Sequence, residues 1–339
     1  MALNIQRDVA LAPLTTLKIG GPAKVFMLAT SEDDVADAMA FAYREGLDVF
    51  VLGGGSNVLI SDEGFDGLVL QTGIKGVKQN GENLVAGAGE DWDDFVERCV
   101  RDGLAGLECM SGIPGFVGGT PVQNVGAYGQ EVADTISSVR CYDREADNIV
   151  ELMNRDCGFT YRTSIFNTTH RDRYIVLSVT YSLEKGGAPK TGYRDLKEMF
   201  VDMSPSLRHV RNAVVDIRRK KSMVIDPADP NSRSAGSFFK NPIVDGKRLE
   251  QIESQTGAVP YFEFGEQVKI PAAWLIEKAG FPKGFVLANA GISSNHTLAI
   301  INRGSAKAAD IIALKDMIQG GVRETFGIEL VPEPVFVGF

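Results

Sequence analysis

With 339 residues, an ordinary hydrophobic share of 44% and a formal net charge of -9, the chain has room for two or three domains with substantial cores. The acidic balance argues against a nucleic-acid binder, which needs a basic face, unless local patches override the total, and obliges any anionic ligand to occupy a local basic pocket. Cys99, Cys109, Cys141 and Cys157 show no CxxC spacing and His170, His209 and His296 lie apart, a pattern that argues against zinc and for reduced thiols in an intracellular protein.

Arg7, Asp8 and Pro13 interrupt the N-terminal stretch, which makes it a poor signal peptide, and no window reaches the roughly 18 apolar residues of a membrane helix. Ser31 with Asp34 reads as a helix start. Val35, Ala38, Met39, Ala42 and Tyr43 then share one helical face and Gly46 is the stop. The strand DVFVL runs into Gly53-Gly54-Gly55-Ser56-Asn57 and a second apolar run, VLI. That context has neither the GK-Ser/Thr of a Walker loop nor a GxGxxG opening a helix, so any nucleotide is held by a non-Rossmann fold. Gly87-Ala88-Gly89 follows another strand, and the helix after it places Trp92, Phe95, Val96, Cys99 and Val100 on one side.

From Cys109 to Gln130 the chain reads CMSGIPGFVGGTPVQNVGAYGQ, with six glycines, two prolines and no charged side chain. Linkers are solvated by polar or charged side chains, so this is expected to be a buried irregular loop. Buried loops leave peptide NH groups in need of partners, and a phosphate or pyrophosphate satisfies several at once. A set of turns packed on its own domain fits the stretch equally well; the second glycine cluster, at 53–55, favours the ligand.

Between 136 and 183 the pattern is strand-like: ISSVRCYD, NIVEL and YIVLSVTYSL. Helices are expected near 193–203 and from Pro205, the second with the stripe Leu207, Val210, Val214 and Ile217 and a charged last turn, Arg218-Arg219-Lys220-Lys221. DPADPNSR at 226–233 is the best domain boundary or mobile loop. KIPAAWLIEKAG reads as a buried helix, NHTLAIIN as a strand, 305–326 as a long helix and IELVPEPVFVGF as two short strands that must join a sheet.

Three further stations stand out. Arg162, beside Tyr161 among apolar neighbours, needs an anion, and a protein carboxylate is the commoner answer. Ser237 follows Gly236 and precedes two phenylalanines; most such serines are turn residues. Glu333 is held between two prolines, where a solvated edge carboxylate is the default.

Taken in order, LTTLKIGGPA, VLGGGSNVLI, GAGEDW, GLECMSGIPGFVGGTPVQNVGAYG, FTYRTSIF, AGSFFKNP, VKIPAAWLIEKAG, HTLAIIN and VPEPVFVG resemble the UDP-N-acetylenolpyruvoylglucosamine reductase (MurB) family, in its tyrosine-loop subgroup, over essentially the whole chain. The resemblance implies an α+β protein with the FAD-binding fold of the vanillyl-alcohol oxidase/PCMH type, two α+β subdomains and a third α+β substrate-binding domain. It implies boundaries at 1–67 joined by 328–339, 68–218 and 219–327. It also implies non-covalent FAD, NADPH as co-substrate, a UDP-sugar substrate, no metal, no nucleic-acid or membrane partner, and a cytoplasmic monomer of peptidoglycan precursor synthesis.

By the same likeness Gly53, Gly54, Gly55, Ser56, Asn57, Ser111, Gly112, Ile113, Pro114, Gly118, Gly119, Asn124, Ala127, Tyr128 and Ile175 line the flavin. Arg162, Ser237 and Glu333 are the catalytic set: cation, proton source and hydrogen-bond donor for reduction of an enolpyruvyl ether. Tyr161, Tyr193, Lys221, Asn241, Tyr261 and His296 match substrate-contacting positions. Lys220 and Lys221 are interchangeable in that role, and His296 stands where a relative carries glutamine. Two alternatives remain: an alcohol oxidase on the same flavin fold, and a non-catalytic nucleotide-sugar binder. The first often tethers FAD through His or Cys, yet no histidine precedes residue 170.

Overall fold

Ser31 and Asp34 cap each other's backbone in a reciprocal box, and the first turn carries Glu32, Asp33 and Asp34 against the positive helix end, so helix α1 (Glu32–Glu45) starts where the sequence places it. It stops at Gly46, whose φ of 63° is the left-handed conformation that glycine adopts without strain. Its buried face is Val35, Ala38, Phe41 and Ala42. Tyr43, expected on that face, is 90% exposed, because the buried face is centred between Ala38 and Val35 and takes in Phe41 on its other edge. This computed structural model describes residues 4–339.

The chain forms two compact units, one built from residues up to Ala10, Pro22–Gly55 and Phe65–Val224, the other from Leu11–Gly21, Ser56–Gly64 and Ile225–Phe339. The first unit holds a four-stranded sheet in the order Gln6–Ala10, Pro22–Ala29, Phe65–Thr72, Val49–Leu52. Its first pair is antiparallel and the others parallel, as the crossover helix α1 requires. A five-stranded antiparallel sheet follows, ordered Asn148–Met153, Ile136–Asp143, Tyr174–Ser182, Asn83–Gly87, Val77–Asn80.

Helix α2 (Trp92–Arg101) buries the five expected side chains, and Asp91 caps it by accepting from the amides of Asp93 and Asp94. Trp92, Phe95 and Tyr181 form one aromatic cluster inside this core. Helix α3 (Arg194–Met199) is shorter than expected. Helix α4 (Leu207–Lys220) is capped by Ser206 and buries Leu207, Val210, Val214 and Ile217 as the stripe predicted.

The second unit packs α5 (Gly246–Thr256), α6 (Ala272–Lys278) and α7 (Ala308–Phe326) with short antiparallel ladders around one core that includes Phe238, Phe239, Leu275, Ile276, Ile311, Leu314 and Ile318. The expected strand at 295–302 shrinks to Ile300–Asn302, since residues 293–299 close a turn instead. At the C-terminus one strand forms rather than two: Val335–Val337 pairs in parallel with Val58–Ile60. The 226–233 segment lies just past the division between the units and is tied down, with Ser232 Oγ donating to the carbonyls of Asp226 and Asp229 at 2.7 and 2.8 Å.

Candidate functional site

In the first unit the two glycine loops cross backbone to backbone. A methyl group on Gly54 would lie 2.7 Å from the Cα of Gly115, so neither residue tolerates a larger neighbour there. A methyl on Gly118 would meet the Ala88 Cβ at 2.6 Å. Gly53 and Gly119 are different, because a methyl on either would enter space with no atom within 4 Å. The long loop is no free coil: it folds into two short 3-10 turns, Glu108–Met110 and Val117–Gly119. The Val117 and Gly118 amides donate to the carbonyls of Glu90 and Ala88. Buried Glu108 staples its base, accepting from the Gly106 and Lys190 amides and from Gln130 Nε2 at 2.8–2.9 Å.

Several expected flavin-lining residues are committed to the protein itself. Ser111 Oγ donates to the Glu108 carbonyl at 2.7 Å. Asn124 spends its whole amide, donating to Glu131 and the Thr160 carbonyl and accepting from the Ala133 amide. Ile175 is buried in a core with Val25, Met27 and Leu70. Ala127 pairs with Gln130 across a two-residue turn, Tyr128-Gly129, with φ of 49° and 84°. Positive φ at both positions is what a type I′ hairpin requires, and a tyrosine there is strained. The Tyr128 ring stands edge-on to Tyr193 at 5.3 Å, with Lys221 Nζ 5.8 Å from its centroid. Lys221 also reaches Asp195 at 3.4 Å, whereas Lys220 is exposed.

Arg218 overturns the expectation of a solvated basic turn. It lies four residues after Val214, on the apolar stripe, and is buried. One nitrogen donates to the Met223 carbonyl at 2.8 Å, while its Nε has no hydrogen-bond partner and lies 3.5 Å from where a Gly112 Cβ would be. Burial pulls the guanidinium below its usual pKa against the opposing pull of Tyr128 and Asp93, and raises the Tyr128 hydroxyl to about 12. A buried cation with an idle donor beneath a glycine loop suits an electron-rich ligand. The open faces of Gly53 and Gly119 lie in the same loop system, and among the described residues the Gly54 and Gly55 amides donate to no backbone carbonyl. These residues fit a dinucleotide held by peptide dipoles and one guanidinium.

Arg162, also in the first unit, sits at φ 56°, a left-handed conformation costing a non-glycine residue about 1–2 kcal/mol. Its guanidinium donates to the Gly126 carbonyl at 2.7 Å and the Asn124 carbonyl at 3.5 Å, and stacks 5.3 Å from the Tyr161 centroid. Together these contacts orient the guanidinium from the left-handed backbone at Arg162.

In the second unit one peptide organises the remaining stations. The Phe238 amide donates to the Leu298 carbonyl at 2.7 Å, and its carbonyl accepts from the Glu333 amide at 2.9 Å. Lys240 and Val331 extend that ladder. Ser237 is thereby brought beside His296, Oγ to Nε2 3.4 Å, and the Glu333 backbone is fixed on the facing segment. Asn57 is tied in as well, its Nδ2 donating to the Glu333 carbonyl at 3.2 Å and its own carbonyl accepting from the Val335 amide at 2.9 Å. Asn241 Oδ1 accepts from the Ala272 amide at the start of α6. Tyr261 is exposed on the approach to the hairpin Phe262–Phe264 and Gln267–Lys269.

Two glycine loops, a buried guanidinium with an idle donor and an α+β architecture without a GxGxxG helix define a non-Rossmann dinucleotide-binding protein, and comparison with known proteins makes it a flavoprotein. The sequence model described as FAD binding domain matches residues 23–152, and that described as UDP-N-acetylenolpyruvoylglucosamine reductase, C-terminal domain, matches residues 227–337. The reductase of that name from Thermobifida fusca is 44% identical, covering 100% of this chain and 99% of the relative, and the Streptomyces coelicolor one is 45% identical over 98% and 90%. The crystal structure of the Thermus caldophilus reductase superposes with a TM-score of 0.70 at 26% identity, over 99% of both chains. The chain belongs to the UDP-N-acetylenolpyruvoylglucosamine reductase family.

Proposed function

We propose that Arg162, Ser237 and Glu333 carry the substrate chemistry of an NADPH-dependent, FAD-mediated reductase that converts UDP-N-acetylglucosamine enolpyruvate to UDP-N-acetylmuramate. Bound FAD supplies hydride transfer from NADPH to the enolpyruvyl double bond. Reduction pushes charge into the substrate carboxylate. Arg162 stabilises that charge as a cation and Glu333 as a protonated donor, both more strongly in the transition state than in the ground state. Ser237 Oγ then gives its proton to the adjacent carbon. The observation that carries this reading is the Phe238 backbone, whose two hydrogen bonds hold the chain beside Ser237 and the segment carrying Glu333 together.

Gly53–Gly55, Gly112, Gly118, Gly119, Tyr128 and Arg218 are the protein groups proposed to hold FAD, and Tyr161, Tyr193, Lys221, Asn241, Tyr261 and His296 to meet the UDP-sugar. In this reading 1–67 with 328–339 and 68–218 serve the dinucleotide and 219–327 the substrate. No helix among the described residues is long and apolar enough to cross a membrane. We place the enzyme in the cytoplasm as a monomer.

Anaerobic stopped flow tests the assignment. In Ser237→Ala, NADPH bleaches the flavin at the wild-type rate, while recolouring by the enolpyruvyl UDP-sugar slows by about 10²–10⁴-fold. Recolouring at the normal rate would remove Ser237 from the chemistry.

A further inference from the structure

A serine hydroxyl is a weak acid, and a proton source of this kind needs a group that both aims the proton and steadies the oxygen left behind. Within the second unit the polar side-chain contact recorded for Ser237 Oγ is His296 Nε2 at 3.4 Å. Two backbone anchors hold the histidine there: the Ala299 amide donates to the His296 carbonyl at 3.1 Å, and the Leu298 carbonyl accepts from the Phe238 amide, the residue next to Ser237. The neighbouring Thr297 is buried and hydrogen-bonded to Glu277 of α6. Serine and imidazole are therefore set against each other by fixed backbone on both sides.

We propose that His296 is a positioning residue for Ser237, with the Nε2–H donating to the Oγ lone pair. The direction follows from the chemistry. If Nε2 accepted from the hydroxyl, the Ser237 proton would point at the imidazole and away from the substrate carbon. With Nε2–H as donor, the O–H proton is free for the substrate. As the Ser237 O–H bond breaks and the carbon–hydrogen bond forms, the electron pair left on Oγ is met by a hydrogen bond already in place, and solvent water later restores the hydroxyl proton. The contact stands at the long end of hydrogen-bond range, as such contacts commonly do before substrate binds.

The inference rests on Ser237 as proton source, and its test separates the two. In holoenzyme, His296→Ala lowers the rate of recolouring at saturating enolpyruvyl UDP-sugar by about 10- to 100-fold, a loss that more substrate does not restore. In the Ser237→Ala background the same change costs nothing further. His296→Gln, whose side-chain NH2 can donate to Oγ, recovers most of the rate. Nitrogen-15 shifts of the labelled imidazole in resting holoenzyme, assigned against His296→Gln, show a proton on Nε2. A saturating rate unchanged in His296→Ala, with only substrate affinity lost, makes His296 a plain substrate contact and overturns the proposal. So does an unprotonated Nε2, or a His296→Gln as slow as alanine with its FAD retained. A normal rate in Ser237→Ala alone instead defeats the assignment of the serine.

Discussion

At the scale of single residues, Arg218 asks whether a buried charge serves the fold or a ligand. A buried guanidinium with an idle Nε is costly in the apoprotein, and replacing buried charges with apolar side chains of similar volume is often neutral or stabilising. Arg218→Met is therefore expected to leave the apoprotein melting temperature unchanged or higher while FAD affinity falls about tenfold, as for one lost charge-assisted hydrogen bond. Calorimetry of the apoprotein and flavin titration measure the two sides; a destabilised apoprotein with normal FAD affinity would assign Arg218 to the fold. The residue was legible in principle. Its i, i+4 relation to Val214 puts it on the buried stripe, but a basic last helical turn is so often a solvated dipole partner that the face was overlooked. The glycines were easier to read, since an uncharged run with six of them had few other uses. The contrast between Gly54, pressed on Gly115, and Gly53, facing open space, depends on how distant loops cross and is written in no local pattern.

At the scale of elements, what the sequence displayed was periodicity with local caps, and what it hid was caps arriving from elsewhere. α1 was readable from Ser31, which sits next to the helix it caps, and α2 from the spacing of its apolar face, with Asp91 adding a cap from the adjoining residue. α7 differs: Asp62, 246 residues away, accepts from the Ala308 amide at 2.9 Å and from the Ala309 amide at 3.2 Å. Its carboxylate meets two orphan donors and the positive end of the longest helix described. Asp62→Ala is expected to destabilise the second unit by about 1 kcal/mol. Urea unfolding followed through Trp274 in a Trp92→Phe background reads that unit alone, and an unmoved midpoint would mean water caps α7 equally well. The shortened strand at Ile300–Asn302 has a related cause. The Ser293 amide closes onto the Ala299 carbonyl, a turn that β-propensity along NHTLAIIN does not reveal.

At the scale of the whole molecule, acid stability follows from where carboxylates are held in the first unit. Asp143 accepts from Arg173 Nε at 3.0 Å and Nη2 at 2.7 Å, and this guanidinium, aided by the Glu145 and Ala146 amides against the cost of burial, holds its carboxyl below the usual range. Glu32 is lowered by its hydrogen bonds from Arg140, and in Asp34 burial is outweighed by bonds from Thr30 and Ser31. Among the described residues of this unit, Asp91 is the one shifted carboxylate that moves up, by burial. A lowered carboxylate contributes stability that is present above its unfolded value of about 4 and is lost as pH falls through its folded value; a raised one does the reverse. Three against one predicts that the first unit weakens below about pH 4, with Asp143, the most enclosed of the paired carboxylates, prominent in the loss. Urea unfolding followed through buried Trp92 in a Trp274→Phe background measures it at pH 7 and pH 3. Asp143→Asn, which keeps the shape but cannot titrate, lowers the midpoint at pH 7 and narrows the gap between the two pH values. A gap as wide as wild type would mean that Asp143 binds its proton equally well in folded and unfolded chains, and that the acid sensitivity lies with Glu32 and Asp34 around α1.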